Sequence, residues 1–361
     1  MSGRTLFLVN GGPTSAAAAR ALRIADELGD QASVVRYRTG SRGTDVARLL
    51  KDTLSSGYDV IYAMELAVVP VAAAALGFGR HKIVVDTGDA PAAFLRLVSA
   101  GRPKVLAAEC LEAVGYRIAN HIIVRGPYHR QMLGARGFHN VCVVPDGVDL
   151  DVFKPVDASA LRHQLGLDGA FIIGIQGHFT WYPALGGGLG SELIKAISLR
   201  RDLRLHAVLI GDGAGLPHLR TLASELGVSD RLHVIGQVPY DELPRYLSLC
   251  DVCLLTQTND ESSWVRTTGK LPGYMATGRY ILASRVGTAA DLLPEEMLID
   301  YEGSWDEGYP ARLASRIAEV VDDPKREAKG LELRELAEQF DYGTVAKSAA
   351  DIVHSLSPSG L

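Results

Sequence analysis

The chain has 361 residues, 47% of them apolar and 22% charged, with 37 basic against 42 acidic side chains and a net charge of −5. At roughly 100–200 residues per domain that length suggests two domains, each large enough for its own core. The composition excludes a disordered chain, and the mild acidity argues against wrapping a nucleic acid. The longest nearly apolar stretch, Leu66 to Phe78, is too short for a bilayer, which takes ~20 residues, and the opening MSGRTLFLVNGG lacks the build of a signal peptide. A cytoplasmic protein without a transmembrane segment is expected. The four cysteines show no disulfide or zinc pattern. Cys250 and Cys253 straddle a helix–strand junction, where burial accounts for both.

In chain order, short β-branched runs alternate with helical stretches. The first half gives strands over Thr5–Asn10, Ala32–Tyr37, Val60–Met64, Lys82–Asp86, His121–Val124 and Val141–Pro145. The second half gives Phe171–Gln176, Leu205–Ile210, Arg231–Ile235, Val252–Gln257, Tyr280–Ser284 and Met297–Tyr301. Continuous apolar runs suit strands covered on both faces of a parallel sheet, and the helices between them make βαβ units. AAARALRIADELG is one such helix, and DVARLLKDTLSSG is another that ends at Gly57. Six strands and six more argue for two Rossmann-like domains, with the linker near Asp151–Gly169. The last 35 residues read as amphipathic helix broken at Asp341–Gly343 and able to pack on either domain.

Open α/β sheets bind ligands beyond the carboxyl ends of their strands, so the loops there carry the chemistry. Asn10-Gly11-Gly12-Pro13-Thr14-Ser15 either admits a ligand close to the backbone or is a plain turn with a capped helix. Gly211-Asp212-Gly213-Ala214-Gly215 suggests a dinucleotide loop, but the next strand ends Val234-Ile235-Gly236 without the acid that a ribose requires. The densest chemistry runs from Gln257 to Gly278. A helix starting near Thr268–Gly269, flanked by Arg266 and Lys270, offers an anion site suited to a diphosphate. It is not a Walker loop, because Trp264 occupies a glycine position and Leu271 follows the lysine.

The run Val143-Val-Pro-Asp-Gly147-Val-Asp149-Leu-Asp-Val-Phe153-Lys-Pro155 resembles the "PNGVD…F.P" stretch of family 4 retaining glycosyltransferases. Leu209-Ile-Gly-Asp-Gly213, Ile235-Gly-Gln-Val-Pro-Tyr-Asp-Glu-Leu243 and Gly269-Lys-Leu-Pro-Gly-Tyr-Met-Ala276 follow in the order of that family, over roughly Leu6 to Leu356. The resemblance implies a GT-B fold, two Rossmann-like domains facing a cleft, with the final helix crossing back to the first. It divides the chain into an acceptor domain, 1–158 with 342–361, and a nucleotide-sugar donor domain, 159–341. It implies a retaining, metal-independent transferase whose co-substrate is a nucleotide-diphosphate sugar. No other cofactor is expected, and no Asp-x-Asp or His cluster at a strand end asks for a metal. A glycan, lipid-linked or small acceptor fits, and Phe94–Lys104 is the local basic–apolar stretch where peripheral membrane contact would fall.

Carried over by position, Gly211, Asp212 and Gly213 line the donor site, Val238 meets the base, and Arg266, Thr268, Gly269 and Lys270 hold the diphosphate. The family's paired glutamates fall on Val265 and Gly273, and its Gly-Arg…Lys pair is absent from Gly177-His178-Phe-Thr-Trp181. Arg266 and Lys270 are the substitutes, with His178 as a helper. A frequent histidine after the fourth strand is replaced by Asp86-Thr87-Gly88-Asp89. Asp89 is therefore either an acceptor or sugar contact or the cap of the following helix. Gly11, Gly12, Glu65 and Asp89 make the acceptor side, and Asp89, Arg266 and Lys270 the catalytic set. Two alternatives remain open. One is an altered GT-B protein that binds a nucleotide sugar as a scaffold, and the other an epimerase using Asp89, Glu65 and Asp212.

Overall fold

The computed structural model describes residues 4–13, 15–29, 32–38, 42–54, 57–77 and 81–356. Thr14, Ser55, Ser56 and Phe78 lie outside them. The chain forms two compact units, one of Met1–Gly147, Trp264–Thr267 and Tyr342–Leu361, the other of Val148–Ser263 and Thr268–Asp341. Among the described residues no helix is long and apolar enough to cross a membrane.

Unit 1 is built on β1 (Thr5–Asn10), β2 (Ala32–Arg38), β3 (Val60–Met64), β4 (Lys82–Thr87), β5 (His121–Val124) and β6 (Val141–Val143), all parallel, in the order β2-β1-β3-β4-β5-β6. Every residue of β3 is buried, as a strand covered by helices on both faces requires. Helix Ala16–Leu28 starts because the Ser15 hydroxyl accepts the Ala18 N–H at 3.2 Å, and it stops at Gly29 (φ 55°). The terminal helix Tyr342–Leu356 lays Val345, Ala346, Ala349, Ala350 and Val353 against Ala18, Ala21 and Ile24 of that first helix. Of the two partners open to the tail, it takes unit 1.

Unit 2 repeats the plan with β7 (Phe171–Gln176), β8 (Trp181–Tyr182), β9 (Gly187–Gly188), β10 (Leu205–Ile210), β11 (Leu232–Gly236), β12 (Val252–Leu255), β13 (Tyr280–Ser284) and β14 (Leu298–Ile299). Six strands form a parallel sheet, ordered β11-β10-β7-β12-β13-β14, while β8 and β9 pair as a small antiparallel hairpin. The hairpin escapes sequence periodicity because its strands are two residues long and one is all glycine. A Cβ on Gly188 would stand 2.0 Å from the Thr180 carbonyl oxygen, so only glycine closes it.

The chain leaves unit 1 at Gly147 rather than near residue 158. The reason lies in the run after it. Val148 donates to the Phe340 carbonyl at 2.8 Å, and the Phe153 ring lies tilted against that of Tyr240 with centroids 5.0 Å apart, so this stretch packs as part of unit 2. Trp264–Thr267, predicted within the donor domain, packs in unit 1, where Val265 is fully buried beside Ala90 and Ala93.

Candidate functional site

In unit 2 the strand order reverses between β7 and β12, which is where an open α/β sheet opens a crevice. The two strands are paired only at Val252–Ile173 and Cys253–Gly174, while β7 stays paired with β10 along its full length. The Gln176 N–H, left without a ladder partner on that side, is taken at 2.8 Å by the hydroxyl of the buried Tyr274. Burial pushes that phenol well above its ordinary pKa, so it is un-ionised and fixed.

Two loops line the carboxyl ends here. Gly177 N–H donates to the Ile210 carbonyl and Phe179 N–H to that of Asp212, each at 2.9 Å. Gly215 returns a bond to the Phe179 carbonyl at 2.8 Å. A Cβ on Gly211 would meet the Gly177 oxygen at 1.9 Å, and one on Gly213 the Phe179 oxygen at 2.1 Å. These glycines serve first to let two backbones lie against each other. Gly177 in turn makes room for Lys270, since a Cβ there would stand 2.8 Å from the Lys270 Nζ. Helix Lys270–Ala276 starts where the sequence predicts, with Gly269 as its cap, and Gly278 (φ 65°) follows its end. His178, Asp212 and Gly269 are exposed, and Thr268 and Val238 half-buried. The Asp212 carboxylate is turned to the next N–H, that of Gly213, at 2.7 Å.

The positions where the family carries glutamates are tightly packed against apolar side chains. A Cβ on Gly273 would already lie 3.2 Å from the Phe153 ring, and Val265 is sealed in an apolar cluster. The departure is built into the packing on both sides.

In unit 1 the order reverses between β1 and β3, and Gly11, Gly12 and Glu65 follow those two strands. Gly11 (φ 137°) lets Ser15 come close enough to cap its helix, since a Cβ there would be 2.6 Å from the Ser15 Oγ. Glu65 holds φ 70° and ψ 148°, a conformation that side chains rarely adopt. Its N–H donates to the Asp86 carbonyl at 2.8 Å. Its carboxylate lies 3.8 Å from the Arg125 Nη2 and 3.4 Å from the Thr87 hydroxyl. Burial pushes Glu65 up to about 7 against the pull of Arg125, with Asp89, Asp86 and Asp146 adding to the rise.

Beneath this carboxyl lies an ion network that the sequence did not single out. Asp86 is fully buried and accepts from Arg20 Nε at 3.0 Å, from the Tyr62 hydroxyl at 2.6 Å and from Arg125 Nη1. Burial alone would raise its pKa, but Arg125 and Arg20 hold it below the ordinary carboxylate value. Arg125 Nε also reaches Asp146 at 2.8 Å. Two signals pointed here: an arginine on the apolar face of an Ala-rich helix, and another ending the run His121–Val124 just before Gly126-Pro127. Nearby His129 is buried, and burial together with Arg136 and Arg125 pushes it down to about 4.

Asp89 does not cap the following helix. Helix Pro91–Leu97 has no side-chain cap, and the Ala92 N–H goes to Glu112 at 2.8 Å. Asp89 accepts instead from Arg266 Nε at 2.8 Å, so two residues assigned separate tasks form one pair, both about half exposed (48% and 44%). Arg266 stands in unit 1 and Lys270 in unit 2. Among the described residues no cluster of three or more His, Cys, Asp or Glu suited to a metal occurs.

Residues 190–323 match the family model of glycosyl transferases group 1. That segment is of group 1 glycosyltransferase type. D-inositol 3-phosphate glycosyltransferase 2 of Catenulispora acidiphila is 29% identical over 222 residues, 59% of this chain and 50% of that one. The 2-deoxystreptamine glucosyltransferase of Streptomyces kanamyceticus is 26% identical over 194 residues, 50% of this chain and 45% of that one. The chain thus spans about half the length of the curated relatives it matches. Anabaena Alr3699/HepE, solved in complex with UDP-glucose, superposes with a TM-score of 0.79 at 22% identity, covering 98% of this chain and 100% of that one. The fold is the GT-B fold, with two parallel-sheet Rossmann-like units and a terminal helix that returns to the first.

Proposed function

We propose that the protein is a retaining, metal-independent glycosyltransferase that moves a sugar from a nucleotide-diphosphate sugar, held by unit 2, to an acceptor held by unit 1. The observation that carries this is the Lys270 ammonium lodged against the bare backbone of Gly177 at the switch point of unit 2. A diphosphate seated there meets the positive charge of Lys270 beside backbone that no Cβ screens. The bond between the sugar and the diphosphate breaks, its electron pair leaves with the phosphate, and Lys270 stabilises the charge that develops. Arg266 is the second cation, and His178, Gly211, Asp212, Gly213, Thr268 and Gly269 line the donor, with Val238 by its base. The acceptor hydroxyl forms the new bond and gives its proton to the departing diphosphate, while Gly11, Gly12, Glu65 and Asp89 hold the acceptor.

Two considerations support the reading. The curated relatives are glycosyltransferases, and the Anabaena protein of like fold binds UDP-glucose. Catalysis in the cytoplasm needs no membrane-spanning helix. The test is a thermal-shift panel of UDP, GDP, ADP and dTDP with their sugars, followed by transfer assays with the donor that binds. A ligand at 100 times its Kd adds ~2.7 kcal/mol of stability. If no nucleoside diphosphate or its sugar raises the melting temperature, the proposal fails.

A further inference from the structure

Unit 2 has a second concavity at the other ends of its strands. Asp251 immediately precedes β12 and Arg279 precedes β13, whereas the loops of Gly177 and Gly211 leave the carboxyl ends. Here lies a cavity of about 320 Å³ whose lining includes Arg162, Arg279, Arg326, Asp251, Ser248 and Tyr280. That is within the ~300–1,000 Å³ of small-molecule sites.

Three guanidinium groups border it, and each has donors to spare. Arg162 gives Nε and Nη2 to the Leu249 carbonyl, at 3.0 and 2.7 Å, and Nη2 also to Asp251 at 2.9 Å. Arg326 spends Nη1 on the carbonyls of Val320 and Val321, at 3.2 and 3.4 Å, and lies over the Phe171 ring. Arg279 is held loosely, by three carbonyls at 3.3 to 3.5 Å. Among the described residues Arg162 Nη1, Arg279 Nη2 and Arg326 Nε have no hydrogen-bond partner.

The charge balance points the same way. Asp251 is 16% exposed, accepts the Ile172 N–H at 2.8 Å, and faces Arg162 and Arg326, themselves only 25% and 24% exposed. The other carboxylates of the lining, Asp157 and Glu327, are exposed and screened by solvent. The interior therefore sets three guanidiniums against one carboxylate. Arginine donors in a concave, partly desolvated setting suit phosphate oxygens.

We propose that this cavity is a binding site for a phosphate-bearing small molecule, whose dianion engages the uncommitted donors of Arg162, Arg279 and Arg326. The site is separate from the donor loops and does not depend on the glycosyltransferase reading. Titration calorimetry of the full chain with inorganic phosphate and with a hexose 6-phosphate, against chloride at matched ionic strength, tests it. The expected result is saturable binding that weakens at least tenfold in Arg279→Met, recovers in part in Arg279→Lys and persists in Lys270→Ala. Ser159→Glu, a change on the exposed rim, should weaken binding as well, and it serves if Arg279→Met does not fold. No saturable binding by the unaltered chain would overturn the proposal, as would full affinity in Ser159→Glu. Binding lost in Lys270→Ala but kept in Arg279→Met would place the phosphate at the donor loops and would equally overturn it.

Discussion

The two units share a parallel-sheet plan and a reversal of strand order, yet the carboxyl ends of their sheets are furnished in opposite ways. In unit 1 the carboxyl ends of β3 to β6 stand on buried charge: Asp86 gripped by Arg20 and Arg125, with Glu65 and Asp146 above. In unit 2 the corresponding place is backbone against backbone, with Gly211 and Gly213 pressed on Gly177 and Phe179 and one lysine let in by a missing Cβ. Charge is sensitive to pH and to the loss of a partner, and backbone packing is sensitive to one added carbon.

The contrast can be broken by mutation. Asp86→Ala should be the most damaging change, because it leaves two arginines, each 4% exposed, without their shared carboxylate. Removing one partner of a buried ion pair costs about 3–5 kcal/mol. Urea unfolding of the variant should show that loss, and a change below 1 kcal/mol would mean that unit 1 does not rest on the network. Gly211→Ala comes next, at roughly 1–3 kcal/mol, since the new methyl has to displace the Gly177 carbonyl. Gly236→Ala makes the control: its φ is 87° but nothing lies within 4 Å of a Cβ there. It should keep donor affinity while Gly211→Ala loses it, and equal losses would reduce the effect to backbone angle alone.

Lys270→Ala should weaken nucleoside-diphosphate binding at least tenfold, ~1.4 kcal/mol, and leave the melting temperature within a few degrees. Calorimetry with UDP or whichever diphosphate the panel selects reads this directly, and unaltered affinity would remove Lys270 from the donor site. The smallest effect belongs to Glu65→Gln. The carboxyl has its pKa raised to about 7 in the folded chain, so the unfolded chain binds fewer protons between the ordinary carboxylate range and pH 7. The stability it contributes is present at low pH and lost as pH rises through 7. Glu65→Gln should therefore gain melting temperature relative to the unaltered chain as pH goes from 5 to 8. A gap that stays constant across that range would mean Glu65 is ionised throughout.

The strand runs of the two six-stranded parallel sheets were legible in the sequence because buried parallel strands are continuous apolar stretches, and β3, β5, β7, β10 and β13 begin and end where those runs do. The start of helix Lys270–Ala276 was legible too, from Gly269 before it and Gly278 after it. The Arg20–Asp86–Arg125 network was not, because its members are 66 and 39 residues apart in pairs and meet only when β4, β5 and the first helix pack. Nor was the pairing of Asp89 with Arg266, 177 residues away, or the hydroxyl of Tyr274 at the point where β7 and β12 part.

By itself the sequence determined the two units, their parallel sheets and the loops in which chemistry collects, since local periodicity and glycine placement are properties of neighbouring residues. The tertiary structure alone decided what those glycines are for. Gly211 and Gly213, which suggest a nucleotide fingerprint as a string, are first of all the places where one loop's carbonyls rest on another's α-carbons. It also decided which charges are spent on the fold and which remain to meet a ligand, because that division depends on partners the chain brings together only by folding.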